Sequence, residues 1–241
     1  MPNDYFQFQQ FRIEQSACAM KVSTDACLLG AAADLTHATR LLDIGTGTGL
    51  LALMAAQRHP TATIEAVEID AAAAAQAATN AAASPWAGRM AVRAISLADY
   101  AATQPAPFSH IICNPPFFRQ SLRSPDAART TARHEAADTL SFAALAAFAA
   151  EFLAPTGLLT VLLPPVEMRA FEQVIDAAGL RAATRLVVRH RPGSKALRHI
   201  TGFRRNGAVV QETETTIRTM ANDAEYSPAF RALLSGFYLA L

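Results

Sequence analysis

The chain has 241 residues, 51% of them hydrophobic, and a formal net charge of +1, which suits one well-buried domain. No stretch approaches the about 18 uninterrupted apolar residues of a membrane helix, and the opening "MPNDYFQFQQ" has no basic or apolar region of a signal peptide. Three cysteines, Cys18, Cys27 and Cys113, show no metal-ligand or redox spacing, so free thiols in a reduced cytoplasm, and no metal, are expected.

From Arg40 onward, strand and helix patterns alternate. "RLLDIG" reads as a short buried strand, followed by a glycine-rich turn and the helical spacing of "LLALMAAQR". "TATIEAVEID" is a second strand, and "AAAAAQAATNAAA" an Ala-rich helix stopped near "SPW" by Pro85. "RMAVRAI" and "FSHIIC" are strands three and four, then "TLSFAALAAFAAEFL" is an amphipathic helix and "GLLTVLLP" a fifth strand. "VEMRAFEQVIDAAG" is a helix with a Gly stop, and "RAATRLVVRH", "ALRHITGF" and "GAVVQETETTI" read as further strands. Repeated β-α-β spacing of this kind argues a doubly wound α/β fold with a mostly parallel sheet, in which antiparallel C-terminal strands are a common elaboration.

Two segments carry chemistry. "DIGTGTGL", residues 43–50, joins the first strand to the first helix. Gly45, Gly47 and Gly49 let the backbone turn sharply beside a ligand, but Leu50 stands where the dinucleotide fingerprint needs its third glycine. The loop, led by Asp43, instead resembles the S-adenosylmethionine (AdoMet) loop of class I methyltransferases. In that resemblance Asp43 organises the loop, Glu68 at the end of "AVEID" accepts the ribose hydroxyls, and Ile69 packs on adenine. Asp70 is a weaker ribose candidate because it suits a helix cap.

Asn114-Pro115-Pro116-Phe117 follows strand four at the carboxyl edge of the sheet, where ligands of open α/β sheets bind. The prolines stiffen the backbone. The Asn oxygen and the Pro115 carbonyl are two fixed acceptors, suited to an exocyclic amino group, and Phe117 can stack on a flat base. Such a nitrogen is a poor nucleophile because its lone pair is delocalised. Holding both N–H bonds lets it pyramidalise towards a methyl group, which is catalysis by orientation and electrostatics.

Taken together, the chain resembles the bacterial tRNA (adenine-N6) methyltransferases that modify A37, next to the anticodon of a valine tRNA. The match covers almost the whole chain, from "FQFQQFRIEQSACAMKVSTDACLLGA" through the glycine loop, "AVEID", "SPW", "NPPFFRQSLRSP" and "ARHE" to "FYLAL". The resemblance implies a Rossmann-like class I methyltransferase: a mostly parallel seven-stranded sheet, helices on both faces and an antiparallel C-terminal strand. One domain, 1–241, is expected, as a monomer. Residues 1–36 would be an extension contributing to the cofactor and substrate site, and 37–241 the core. Asn114, Pro115 and Phe117 would clamp the amino group, with Asn114 also beside AdoMet. Met20, Lys21, Thr24 and Asp25 would lie beside AdoMet or at the mouth for the base, although "MKVSTD" also suits a helix cap at Ser23 or Thr24. Arg119, Arg123, Arg133 and His134 would meet tRNA phosphates. One departure stands out. Where the family places an Asp that holds the adenine of AdoMet, this chain has Ser96, with the acid displaced to Asp99; weaker cofactor affinity is expected.

Charge distribution fits an RNA partner. Between Ala177 and Gln211 there are eight basic residues and no acidic one, and a second basic run follows the Asn-Pro-Pro segment. A release-factor glutamine methyltransferase shares the Asn-Pro-Pro-aromatic motif but carries a helical substrate domain, for which about 40 residues before the first strand are too few. A guanine-N2 methyltransferase of rRNA uses a similar clamp, and a non-catalytic AdoMet- or RNA-binding module would not need one.

Overall fold

A computed structural model describes residues 4–116, 140–207, 209–220 and 224–240. Eight strands form the main sheet: β3 (Arg40–Ile44), β4 (Thr63–Glu68), β5 (Met90–Ala94), β6 (Phe108–Cys113), β7 (Leu153–Leu163), β8 (Arg181–Arg189), β9 (Ala196–Arg204) and β10 (Gln211–Thr216). Their order across the sheet is β10-β8-β9-β7-β6-β3-β4-β5. Only β9 runs against the others, antiparallel to both β7 and β8. The expected seven-stranded sheet is therefore an eight-stranded one, because β10 joins the free edge of β8 in parallel. Its polar sequence suits that edge. Glu212 and Glu214 pair with Arg185 and Arg189 of the neighbouring strand.

The apolar runs of the inner strands have a plain cause. Adjacent residues of a strand point to opposite faces, and both faces of this sheet are covered. Leu41, Ile112 and Leu162 enter one core with α1 (Thr24–Ala32), α2 (Leu50–Arg58) and α3 (Ala71–Ala82) nearby. Leu42, Ile111 and Val161 enter the other, beneath α4 (Leu97–Ala102), α5 (Phe142–Phe152) and α6 (Pro165–Ala177). Helix α6 starts with Pro165 in its first turn, where a missing N–H costs nothing, and buries Met168, Phe171 and Ile175 at helical spacing. Full burial of Phe171 contributes about 2–3 kcal/mol.

The ends of the chain meet. In a short antiparallel hairpin, β1 (Tyr5–Gln7) with β2 (Arg12–Glu14), the residue just after β1, Phe8, bridges to Tyr238. The Gln9 side chain donates to the Ser235 and Tyr238 carbonyls at 2.8 and 2.6 Å, and α7 (Pro228–Leu234) packs on α1. The N-terminal "FQFQQF" and the C-terminal "FYLAL" are thus two halves of one aromatic cluster. Neither the hairpin nor α4 and α7 was legible as a separate element, since each is short and held by tertiary partners. Among the described residues no helix is long and apolar enough to cross a membrane.

Parallel strands put their carboxyl ends on one edge. In register, Ile44 lies beside Val67 and Cys113, and Glu68 beside Ala94. The glycine loop, Ile69, Ser96 and Asn114 all follow from that edge.

Candidate active site

The glycine loop is bound into place at both ends. The backbone N–H groups of Gly45 and Thr46 donate to the Val67 carbonyl at 2.9 and 3.1 Å. Asp43 is wholly buried, and its Oδ2 accepts from Thr46 Oγ1 at 2.5 Å and from the Ala52 N–H at 3.2 Å. One carboxylate therefore organises the loop and caps the first turn of α2. Burial pushes the Asp43 carboxyl up to about 7, against those two bonds, and nearby Glu68 adds to the rise. Gly47 has φ 55°, and a Cβ there would meet the Cys18 sulfur at 3.5 Å. Gly49, at φ 84°, serves a different purpose: a Cβ would press on Ala77 of α3 at 3.4 Å. It lets α2 and α3 pack closely and does not line the cavity.

Two cavities share the walls Ile44, Gly45, Glu68, Ile69 and Leu140. The larger, 460 Å³, runs from the glycine loop to Asn114 and Pro115. The smaller, 190 Å³, lies between Ile69, Ile95, Ser96, Leu97 and Ala144, an apolar slot with one polar rim, suited to a purine. At the junction Glu68 accepts from the Gly47 N–H at 2.9 Å through Oε2 and from the Asp70 N–H at 3.1 Å through Oε1. Each carboxylate oxygen has a second lone pair, so both keep capacity for a hydroxyl. Asp70 caps α3, with its Oδ1 accepting from Ala73 at 2.8 Å.

Ser96 caps α4 by accepting from the Asp99 N–H at 3.0 Å and donates to the Asp99 carboxylate at 2.7 Å. Its hydroxyl proton is thus engaged, and the displaced acid is held against it. A Ser96→Asp variant should retain the cap and, by offering a carboxylate to the slot, bind AdoMet about tenfold more tightly. Titration calorimetry checks this; unchanged affinity would remove Ser96 from the account.

Over the larger cavity, residues 17–23 form a roof. Three side chains latch it. Gln15 accepts from the Val22 N–H at 2.9 Å, and Gln76 of α3 accepts from the Ala17 N–H at 3.1 Å. Buried Asn80 accepts from the Glu14 N–H at 3.0 Å and donates to the Glu14 and Thr48 carbonyls, each at 2.9 Å. Asn80 therefore ties the N-terminal strand to the glycine loop. Asn80→Ala should lower stability by about 2–3 kcal/mol, because it orphans part-buried backbone groups, and should weaken AdoMet binding by loosening roof and loop together. Urea unfolding and calorimetry read the two effects; a variant that loses neither would show the latch to be idle. Cys18 lies in this roof, and burial, then Glu68 and Asp70, push its thiol up. It is a neutral wall of the cavity.

Asn114 leaves the end of β6 into the same cavity, followed by buried Pro115 and exposed Pro116. Its Oδ1 is buried and has no hydrogen-bond partner among the described residues. A buried acceptor without a donor costs about 1–3 kcal/mol, which makes this oxygen the polar atom of the cavity wall to account for in any functional reading.

The other expected site residues divide. Met20 and Lys21 line the cavity, with Met20 61% exposed at its rim. Thr24 and Asp25 do not line it; Ser23 caps α1 by accepting from Ala26 at 3.2 Å, and Asp25 pairs with Arg198 Nε at 2.7 Å. The Ser23 cap matches one of the two expected cap positions and sets Thr24 and Asp25 in the first turn of α1, outside the cavity lining. Phe117, Arg119, Arg123, Arg133 and His134 lie outside the described residues. Sequence reasoning passed over Gln15, Asn80, Cys18 and Leu140. Asn80 had one signal, a carboxamide in an otherwise apolar face of an Ala-rich helix; Leu140 had none.

Comparison with known proteins agrees with this geometry. The model of the methyltransferase small domain matches residues 18–164. A tRNA1(Val) (adenine(37)-N6)-methyltransferase of Phocaeicola vulgatus is 41% identical over 239 residues, covering 99% of both chains. One of the same name from Pseudoalteromonas translucida is 40% identical over 236 residues, covering 98% of this chain and 99% of its own. Among solved structures, a predicted O-methyltransferase of Agrobacterium tumefaciens superposes with a TM-score of 0.65 at 21% identity, over 88% of this chain and 96% of the other, a likeness of fold. Fold, cavity and relatives converge: the chain belongs to the tRNA1(Val) (adenine(37)-N6)-methyltransferase family.

Proposed function

We propose that the protein methylates the N6 amino group of an adenine in tRNA, A37 beside the anticodon of a valine tRNA, using AdoMet as methyl donor in the cytoplasm. The observation that carries this reading is the buried Oδ1 of Asn114, without a partner among the described residues, in the wall of a cavity that begins at a glycine loop and Glu68. AdoMet supplies a methyl group already activated on a sulfonium. The residues of this chain bind and orient: Glu68 takes the ribose hydroxyls, Ile69 and Leu97 enclose the adenine of the cofactor, and the glycine backbone lies along the rest.

Asn114 Oδ1 and the Pro115 carbonyl accept the two amino protons of the target base. With both N–H bonds held, the nitrogen lone pair turns out of conjugation towards the methyl carbon. A carbon–nitrogen bond forms as the carbon–sulfur bond breaks, and the surplus proton leaves the acidified nitrogen for water. No strong base is needed. Extruding a loop base, already partly unpaired, costs a few kcal/mol at most.

The test is transfer of labelled methyl from AdoMet to total tRNA from a strain lacking the activity, with nucleosides resolved by mass spectrometry. Labelled N6-methyladenosine is the expected product. Label in guanosine, or in protein alone, would overturn the reading.

A further inference from the structure

The basic run of 181–205 looks continuous in sequence, yet the sheet divides it between two edges. Arg181 opens β8 and Arg204 ends β9, so both lie on the edge opposite the cavity. Strand β8 runs parallel to the inner strands, so its end at Arg189 emerges at the cavity edge. The β8–β9 turn, carrying exposed Arg191 and Lys195, projects from that edge.

This turn is built, not loose. Ser194 Oγ donates to the Arg191 carbonyl at 2.8 Å and accepts from the Arg191 N–H at 3.2 Å. Arg189 braces it by donating to the Ser194 carbonyl while paired with Glu214 at 2.6 Å. On the far side Arg198 pairs with Asp25 at 2.7 Å, and Asp25 adjoins Ala26, a wall of the larger cavity. The acids Asp25 and Glu214 are thus engaged by Arg198 and Arg189, within the stem of the hairpin. The backbone N–H of Arg218 donates to the His190 carbonyl at 2.8 Å and ties the segment after β10 to the base of the turn.

We infer that the β8–β9 turn is a docking finger for the tRNA sugar-phosphate backbone, with Arg191 and Lys195 contacting phosphates flanking the base held at Asn114. This rests on the tRNA reading above and gives it a surface. A hydrogen-bonded, positively charged turn on the same sheet edge as a base-sized cavity positions a polyanion without reading its sequence. Asp25 then acts as a positioning residue, pinning the finger through Arg198.

The experiment compares three proteins: wild type, Arg191→Ala/Lys195→Ala, and Arg181→Ala/Arg204→Ala as an equal charge loss at the opposite edge. Equilibrium binding to total tRNA is measured across a salt series, with AdoMet affinity as the folding control. The finger variant should bind on the order of tenfold more weakly, with the log–log salt slope reduced by about 1.4–1.8 for two lost phosphate contacts. The opposite-edge variant should bind as wild type. Equal weakening of both variants would mean diffuse charge and overturn the proposal, as would no weakening of the finger variant. Assay of N6-methyladenosine on the same samples is scored separately. Its absence overturns the functional reading, whereas unaltered binding by the finger variant overturns the finger alone.

Discussion

Replacing Asn114 by Ala should lower kcat by about 10²–10³, the size of effect seen when one preorganised hydrogen-bonding group is removed from a reaction centre. The expectation comes from where the oxygen sits. It is buried at the end of β6, beside a rigid Pro-Pro step, with no partner among the described residues. On the proposed clamp, the protein bears the cost of desolvating that acceptor before the base arrives and recovers it when the amino group donates. Removing the oxygen leaves an amino group planar, conjugated and weakly nucleophilic. Asn114→Asp keeps an acceptor at the same point and should retain more activity than Asn114→Ala. AdoMet affinity should change far less than kcat in both, because Glu68 and the glycine loop lie elsewhere in the cavity. Single-turnover methylation of saturating tRNA, beside calorimetry with AdoMet, separates the two. A kcat within a few-fold of wild type in the Ala variant would remove Asn114 from the catalytic role.

Glu68→Ala should weaken AdoMet binding by about a hundredfold. Two hydrogen bonds to a carboxylate are each worth about 1.5–3 kcal/mol when well shielded, and the half-buried position of Glu68 places it at the lower end of that range. A second loss adds to the first. Glu68 also holds the Gly47 N–H, so its removal frees the middle of the loop that must lie along the ligand. Glu68→Gln keeps one strong acceptor and should fall between the two. Calorimetry gives the dissociation constants directly; a Glu68→Ala protein binding AdoMet within threefold of wild type would place the ribose elsewhere.

Much of this site was legible along the chain because its parts are local. A glycine loop after a buried strand, an acid ending the next strand, and Asn-Pro-Pro ending a later one each follow from residues within a few positions. Parallel pairing then brings strand ends to one edge. Asp70 as a helix cap was readable for the same reason. The limits were equally physical. Nothing near Asp25 in the sequence foretold its pairing with Arg198, 173 positions away. Nothing near Asn80 foretold its bonds to Glu14 and Thr48, since a carboxamide takes whatever partners the packing brings.

The chain's own pattern, then, decided the class of fold and that the glycine loop, Glu68 and Asn114 follow strand ends, because backbone sterics and strand periodicity act over short range. Tertiary structure alone decided which carboxylates face the cavity, what roofs it, and how one basic run is shared between two edges. Those depend on strand direction and on side chains meeting across the sheet, and neither is a property of neighbouring residues.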